Sequence, residues 1–330
     1  MNQTEILYEV RELSILKSVT LWSVNVVGLL ANVVGFSLIS QVKISLPAAR
    51  LLLRHQFVCD AIGCTVAMAY WITFGLKIPP TLLMATAFSY LWSNYFVFWF
   101  TVVLSSTNLA MLSFDRYWAV VWFRSYRRNC KGYLISLIII IWAYTIVFSA
   151  PPIIFSYYYG NPTTATSPKL RACMMAYQVI IFIFAYILPG VLICVIQVRI
   201  ILLLRGKVHV RAEKSSTSDP LAQDSNGAID PNVRTITLGI FIMIVTYIVS
   251  RTYVHFESLL ATFGVIRIRI LKLWQYDGIL LFSINFSVNP LAVIFTSPAC
   301  RQLLSRKTAC IIEPIHRLCS KYVRKNVNSV

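Results

Sequence analysis

Apolar residues along this chain neither alternate with polar ones nor form narrow stripes; they run in blocks of about twenty or more, separated by short polar stretches. Crossing the hydrocarbon core of a bilayer takes about 20 mostly apolar helical residues. Seven blocks reach that length, at roughly 19–41, 50–75, 83–117, 133–156, 175–204, 235–263 and 273–296. In lipid every backbone N–H and C=O needs an internal partner, so each block is expected to be an α-helix. The pattern predicts an all-α membrane protein, a seven-transmembrane helix bundle over 19–296. Residues 1–18 precede it, about 205–234 form its longest polar loop, and 297–330 are a basic tail. The start of that tail, about 298–309, reads as a short amphipathic membrane-surface helix.

Composition agrees. At 58% hydrophobic and 13% charged, with a mean hydropathy of +0.70, the chain lies far from the soluble balance of about a quarter charged. Its net charge of +18 invites a nucleic-acid reading. The basic residues are spread over loops between apolar spans, however, with no basic stripe on a soluble fold, and nucleic acid is not an expected partner. Short cytoplasmic loops retain Lys and Arg. Twenty of the thirty lie beside the loops after the first, third and fifth spans or in the tail, eight lie on the other side, and Arg116 and Arg251 fall inside spans. The N-terminus is therefore expected outside and the C-terminus inside, in a multi-pass plasma-membrane protein. The opening MNQTEILYEVRE lacks a basic n-region, so no cleavable signal peptide is read and the first span serves as signal anchor. Asn2 in NQT matches a glycosylation acceptor on the outer side.

Single polar or helix-breaking residues punctuate the spans. The first has Asn32 in GLLANVVG, the second Asp60 in FVCDAIG, and the third ends in Asp115-Arg116-Tyr117. The fourth has Trp142, the fifth Pro189 and the seventh Asn289-Pro290. Each alone is common in membrane helices. Together and in this order they resemble the rhodopsin-like G-protein-coupled receptors over about residues 19–309, and the chain reads as a divergent member.

The resemblance implies that Arg116 is held by Asp115 at rest and released to a heterotrimeric G protein when the sixth span swings outward. Tyr117, Asn289 and Pro290 belong to the same switch. The plain alternative is an Arg116 that snorkels to lipid headgroups. Arrestin, receptor kinases, an extracellular ligand and membrane lipid are the further partners the resemblance implies.

Counting back from Arg116 by helical turns gives Leu112, Leu109, Ser105, Val102, Phe98 and Tyr95 or Asn94 on one face. Ser105 then lies near Asp60, and Asn285 and Asn289, four apart, share a face of the seventh span. Receptors of the resembled family commonly hold a sodium ion there, with Asp60, Ser105, Asn285 and Asn289 in the ligand positions. A hydrogen-bonded knot around Asn32 and Asp60 without an ion is equally open, and no other cofactor is expected.

Ligand class narrows by elimination. Monoamine receptors carry an aspartate on the third span where this chain has Phe98, and opsins need a lysine in the seventh span, where Leu273 to Thr296 has none. The sixth span carries Tyr247, Arg251, His255, Ser258 and Thr262 at spacings of three and four, on one face. An arginine inside a span turns to a partner or a cavity. Aligning Thr246-Tyr247 with the Cys-Trp of the family's sixth-span motif sets Arg251 in the ligand cavity. There it would anchor an anionic group, a peptide's included, with His255, Tyr95, Phe98 and Tyr247 around it. Lys169, Arg171, Arg267, Arg269 and Lys272 would steer acidic ligands. An internal salt bridge from Arg251 to Asp277 or Glu257 is the alternative. Of the aromatic residues Tyr90, Trp92, Tyr95, Phe96, Phe98 and Trp99, several are expected to face lipid.

Receptors of this family usually tie the top of the third span to the second outer loop by a disulfide. Cys173 matches the loop half, but no cysteine lies between Cys64 and Cys130, so no such bridge is expected. Cys310 and Cys319 are palmitoylation candidates, with unmodified thiols the alternative. SSTSD (Ser215 to Asp219) suits a kinase. The usual tyrosines of the switch are Val293 and Gln197, and no proline lies between Pro231 and Pro290, so a straight sixth span is expected. The resemblance supports a ligand-activated receptor; a ligand-binding receptor with lost or altered signalling is the second reading. A transporter fits less well, with no internal repeat, and no catalytic constellation suggests an enzyme.

Overall fold

The computed structural model describes residues 3–42, 46–73, 96–122, 124–126, 130–151, 153, 168–216, 231–265 and 271–310. The first four spans lie in helices Gln3–Gln41, Pro47–Thr73, Phe96–Val121 and Lys131–Ser149. The fifth is helix Pro168–Ile181, a π-helical segment Phe182–Ile187, and helix Leu188–Ser216; the sixth is Pro231–Thr262 and the seventh Leu271–Thr296. Residues 298–310 are again helical. Seven helices are long and apolar enough to cross a membrane, and no strand occurs among the described residues. The tip preceding Phe96, with Tyr95, lies outside the described residues, as do Asn2, Cys319, Arg267 and Arg269.

Proline sets three of the starts. Pro47, Pro168 and Pro231 are each the first residue of their helix, where the missing N–H costs nothing. The second membrane-length span thus begins at Pro47 and the fifth at Ala172, each three residues ahead of the apolar blocks. Cys173 is therefore not in an outer loop, as the resemblance implied, but exposed on a helix.

Pro189 follows the π-helical segment. In the i→i−5 register its absent N–H leaves the carbonyl of Phe184 without a donor. Tyr144 of the fourth span supplies one, its Oη donating to that oxygen at 2.6 Å. The sixth span has no internal proline and runs unbroken for 32 residues. It stops at Gly264, whose φ of 74° suits glycine, with Val265 N–H reaching back to Leu260 O at 3.0 Å.

The third span packs on the second, fourth, fifth and sixth, and the seventh on the first, second and sixth. The seventh is 61% buried, the second, third and sixth 50% and the fourth and fifth only 22%, so the fourth and fifth are the spans most exposed to lipid. Helices approach closely where glycine permits. A Cβ on Gly239 would come 2.7 Å from Thr296 Oγ1, which brings the sixth span against the seventh near the Arg116 end. Residues 298–310 bury Cys300 and rest Leu303 and Leu304 on the core, with Arg301, Gln302 and 305–310 exposed. That one-sided pattern is amphipathic.

Candidate functional site

The face counted back from Arg116 is buried throughout: Phe98, Val102, Ser105, Leu109, Leu112 and Arg116. Three polar levels follow along it.

At the basic end Asp115 is 0% exposed and Arg116 1%. Two phenols hold the Asp115 carboxylate. Tyr126, between the third and fourth spans, and Tyr133, at the start of the fourth, both donate to Oδ1 at 2.9 Å. Trp118 meets both rings edge-on, at 6.0 and 5.2 Å. Neither tyrosine was expected here, because their meeting depends on how the chain turns between two spans. Tyr117 packs on Ile196 and Ile200 of the fifth span. Val293 is fully buried, and Gln197 donates to the backbone oxygen of Thr237 at 3.1 Å, bridging the fifth and sixth spans.

At mid-membrane, Ser105 Oγ donates to Asp60 Oδ1 at 2.6 Å and Asn289 Nδ2 to Oδ2 at 2.8 Å. Gln56, one turn before Asp60, also donates to both oxygens. Asn285 turns elsewhere, to Thr246 Oγ1 at 3.2 Å. Asn32 does not join the knot; it donates to the carbonyls of Gly28 and Phe286. Pro290 follows directly on Asn289 inside the seventh helix. Three side chains, Gln56, Ser105 and Asn289, thus donate to the Asp60 carboxylate, and Asn289 Oδ1 is buried without a hydrogen-bond partner among the described residues.

Toward the opposite end lies a cavity of about 220 Å³ between the third, fourth, fifth and sixth spans. Its polar lining is Arg251, His255, Ser258, Gln178, Tyr177 and Ser149, and its apolar lining includes Phe96, Trp99 and Phe148. Arg251 is 2% exposed. Its Nη2 donates to Val102 O at 2.8 Å and to Ser106 Oγ, and Nη1 lies 3.2 Å from His255 Nε2. That contact needs an acceptor nitrogen, so the ring proton sits on Nδ1. The guanidinium also lies over the Phe282 and Tyr247 rings at 5.2 and 5.6 Å, where the ring faces attract a cation.

Among the described residues no carboxylate pairs with Arg251. Asp277 pairs instead with Lys17 at 3.4 Å. Arg251 Nε and the Tyr247 hydroxyl are buried without a hydrogen-bond partner among the described residues. Phe98 and Tyr247 lie in the core around the cavity rather than in its lining; Phe98 packs edge-on against Tyr70, Phe282 and Phe286. Gln178, which donates to Ser258 at 2.7 Å, sat unmarked in an apolar block of the sequence.

At the tail, Cys310 is exposed at the end of the helical stretch 298–310. No curated protein matches the chain. The sequence profile described as "7 transmembrane receptor (rhodopsin family)" matches residues 32–292, which holds the Asp60 knot, the Asp115 clamp and the Arg251 cavity together. The chain belongs to the rhodopsin family of seven-transmembrane receptors, a signalling receptor fold and not an enzyme.

Proposed function

We propose that the protein is a receptor whose outer cavity binds a ligand through an anionic group on Arg251, and that ligand binding activates a heterotrimeric G protein through Arg116. Family membership carries the G-protein-coupled signalling role. The observation that supports the ligand class is a buried guanidinium at a cavity wall with no carboxylate beside it among the described residues. Burying an unpaired charge is costly, and an incoming carboxylate offsets that cost while taking the unused Nε–H. The aromatic lining of Phe96, Trp99 and Phe148 suits an apolar body behind the anion, as in an amphiphilic acid or the C-terminal residue of a peptide. The basic end then faces the cytoplasm, with residues 298–310 along the membrane surface. Arrestin and receptor kinases would act on that side, and the tail cysteines Cys310 and Cys319 are the lipidation candidates.

A second reading, altered activation, has its own observation. Gln197 ties the fifth span to the sixth at Thr237 O, and Gly239 lets the sixth span lie against Thr296 of the seventh. An unbroken sixth span held on two sides resists outward movement.

The deciding experiment is guanine-nucleotide exchange in membranes, wild type against Arg116→Ala at matched surface expression, across G-protein classes. Exchange that Arg116→Ala abolishes supports coupling. An exchange signal indifferent to Arg116 refutes it. Arg251→Gln should weaken an anionic agonist by about 1.5–3 kcal/mol, the scale of a hydrogen bond to a charged group; unchanged affinity refutes the anion site.

A further inference from the structure

Gln56 is fully buried one helical turn before Asp60. Its Nε2 lies 3.0 and 3.1 Å from the two Asp60 oxygens and 2.6 Å from Ser105 Oγ. Ser105 and Asn289 add one donor to each carboxylate oxygen. A carboxylate has about four lone-pair sites, and Ser105, Asn289 and the Gln56 amide, whose two N–H groups are shared among three oxygens, engage both of its oxygens. The other end of the Gln56 amide is set as well. Its Oε1 accepts from Asn108 Nδ2 at 2.7 Å, and Asn108 Oδ1 faces His55 Nδ1 at 3.0 Å. Turning the amide over would set oxygen against carboxylate and N–H against N–H, so the partners dictate its orientation.

We infer that the Gln56 amide is a built-in substitute for the sodium ion that the fold family leads one to expect between Asp60, Ser105, Asn285 and Asn289. One nitrogen with partial positive charge sits among three oxygens that a cation would need. A hard cation binds oxygen lone pairs, and here the Gln56 nitrogen already occupies the point where both Asp60 oxygens and Ser105 Oγ converge, while Asn289 Oδ1 is left without a partner among the described residues. Asn285 is turned so that its Nδ2 donates to Thr246 Oγ1 of the sixth span. The receptor therefore does not respond to sodium, and removing the amide opens a cation site.

The test is the thermal stability of the full-length receptor in detergent, with sodium chloride titrated against choline chloride at constant ionic strength. Wild type is expected to show no sodium-selective shift. Gln56→Leu is expected to gain a saturable rise in Tm of about 2–4 °C, the scale of a bound ligand at roughly tenfold excess over its Kd, and Asp60→Asn in that background should remove it. Gln56→Leu leaves Asn108 Nδ2 bonded to Leu52 O at 2.9 Å and frees only its second N–H; Gln56→Met serves where the leucine variant fails to fold. A sodium-selective rise in wild type that Asp60→Asn abolishes overturns the inference. Indifference to sodium in wild type and both Gln56 variants overturns it too, since the amide would then not be what excludes the ion.

Discussion

Asn32 of the first span donates its side-chain amide to the carbonyl of Phe286, 3.1 Å away, which is the oxygen that Pro290, four residues on, leaves without a donor. Tyr144 does the same for the carbonyl of Phe184 ahead of Pro189. Lipid supplies no water to replace either donor. Asn32→Ala should therefore cost about 1–3 kcal/mol, the penalty of a stranded buried acceptor. Tyr144→Phe should cost less, about 1 kcal/mol, because its contact lies at the exposed edge. Thermal melts of purified receptor decide it; equal losses, or none, would show that the helices re-satisfy these carbonyls themselves.

Arg251 yields an opposite expectation. A buried arginine that held a structural ion pair would cost about 3–5 kcal/mol when removed. Here the oxygen it meets, Val102 O, also accepts from Ser106 Oγ at 2.6 Å, so Arg251→Met strands neither of those groups and leaves only His255 Nε2, which lines the cavity, without its donor. The ligand-free receptor should lose no more than about 1 kcal/mol, and gains stability if the cost of the buried charge dominates. Affinity for an anionic agonist should fall in the same protein. A large loss of ligand-free stability would show that Arg251 is structural.

The seven spans were legible because a bilayer admits few alternatives to long apolar helices, and Asn32, Asp60, Arg116 and Pro290 mark the helices that carry them. Tertiary placement was not. Tyr126 and Tyr133 meet Asp115 across a turn, and nothing in their spacing announces a shared carboxylate. Gln56 is a single amide in an apolar helix, one turn from the residue it controls. Phe98 and Tyr247 fell on the right faces, but the same face that lines a cavity also lines the core below it. The helix that carries the fifth span starts at Pro168, ahead of the apolar block, because its first turn is of mixed polarity. Helix ends, unlike helix existence, are set by local chemistry that hydropathy averages away.

The two phenols on Asp115 share one oxygen, which makes their loss non-additive. Tyr126→Phe or Tyr133→Phe alone should cost about 1.5 kcal/mol, the low end for hydrogen bonds to a charged group, since the other phenol remains. The double variant leaves a buried carboxylate without either donor and should exceed the sum of the singles by at least about 0.5 kcal/mol. It should also change basal guanine-nucleotide exchange, since Asp115 neighbours Arg116. Additive losses with unchanged exchange would mean that the phenols act only as packing.

Cys300 and Cys310 lie ten residues apart on the tail helix and should differ sharply in reactivity. Cys300 is 0% exposed, and burial pushes its thiol up from the ordinary range, only partly opposed by its contact with Ser297. Cys310 is exposed. The thiolate is the nucleophile, so maleimide at neutral pH should label Cys310 while sparing Cys300, and Cys300 should react only at higher pH or on unfolding. The sign for stability follows from the folded thiol holding its proton more tightly than the unfolded one. The contribution is intact below the ordinary thiol range and falls as pH rises above it, and Cys300→Ala should remove that part of the alkaline loss. Rapid labelling of Cys300 in the native receptor would show that residues 298–310 do not stay seated on the bundle.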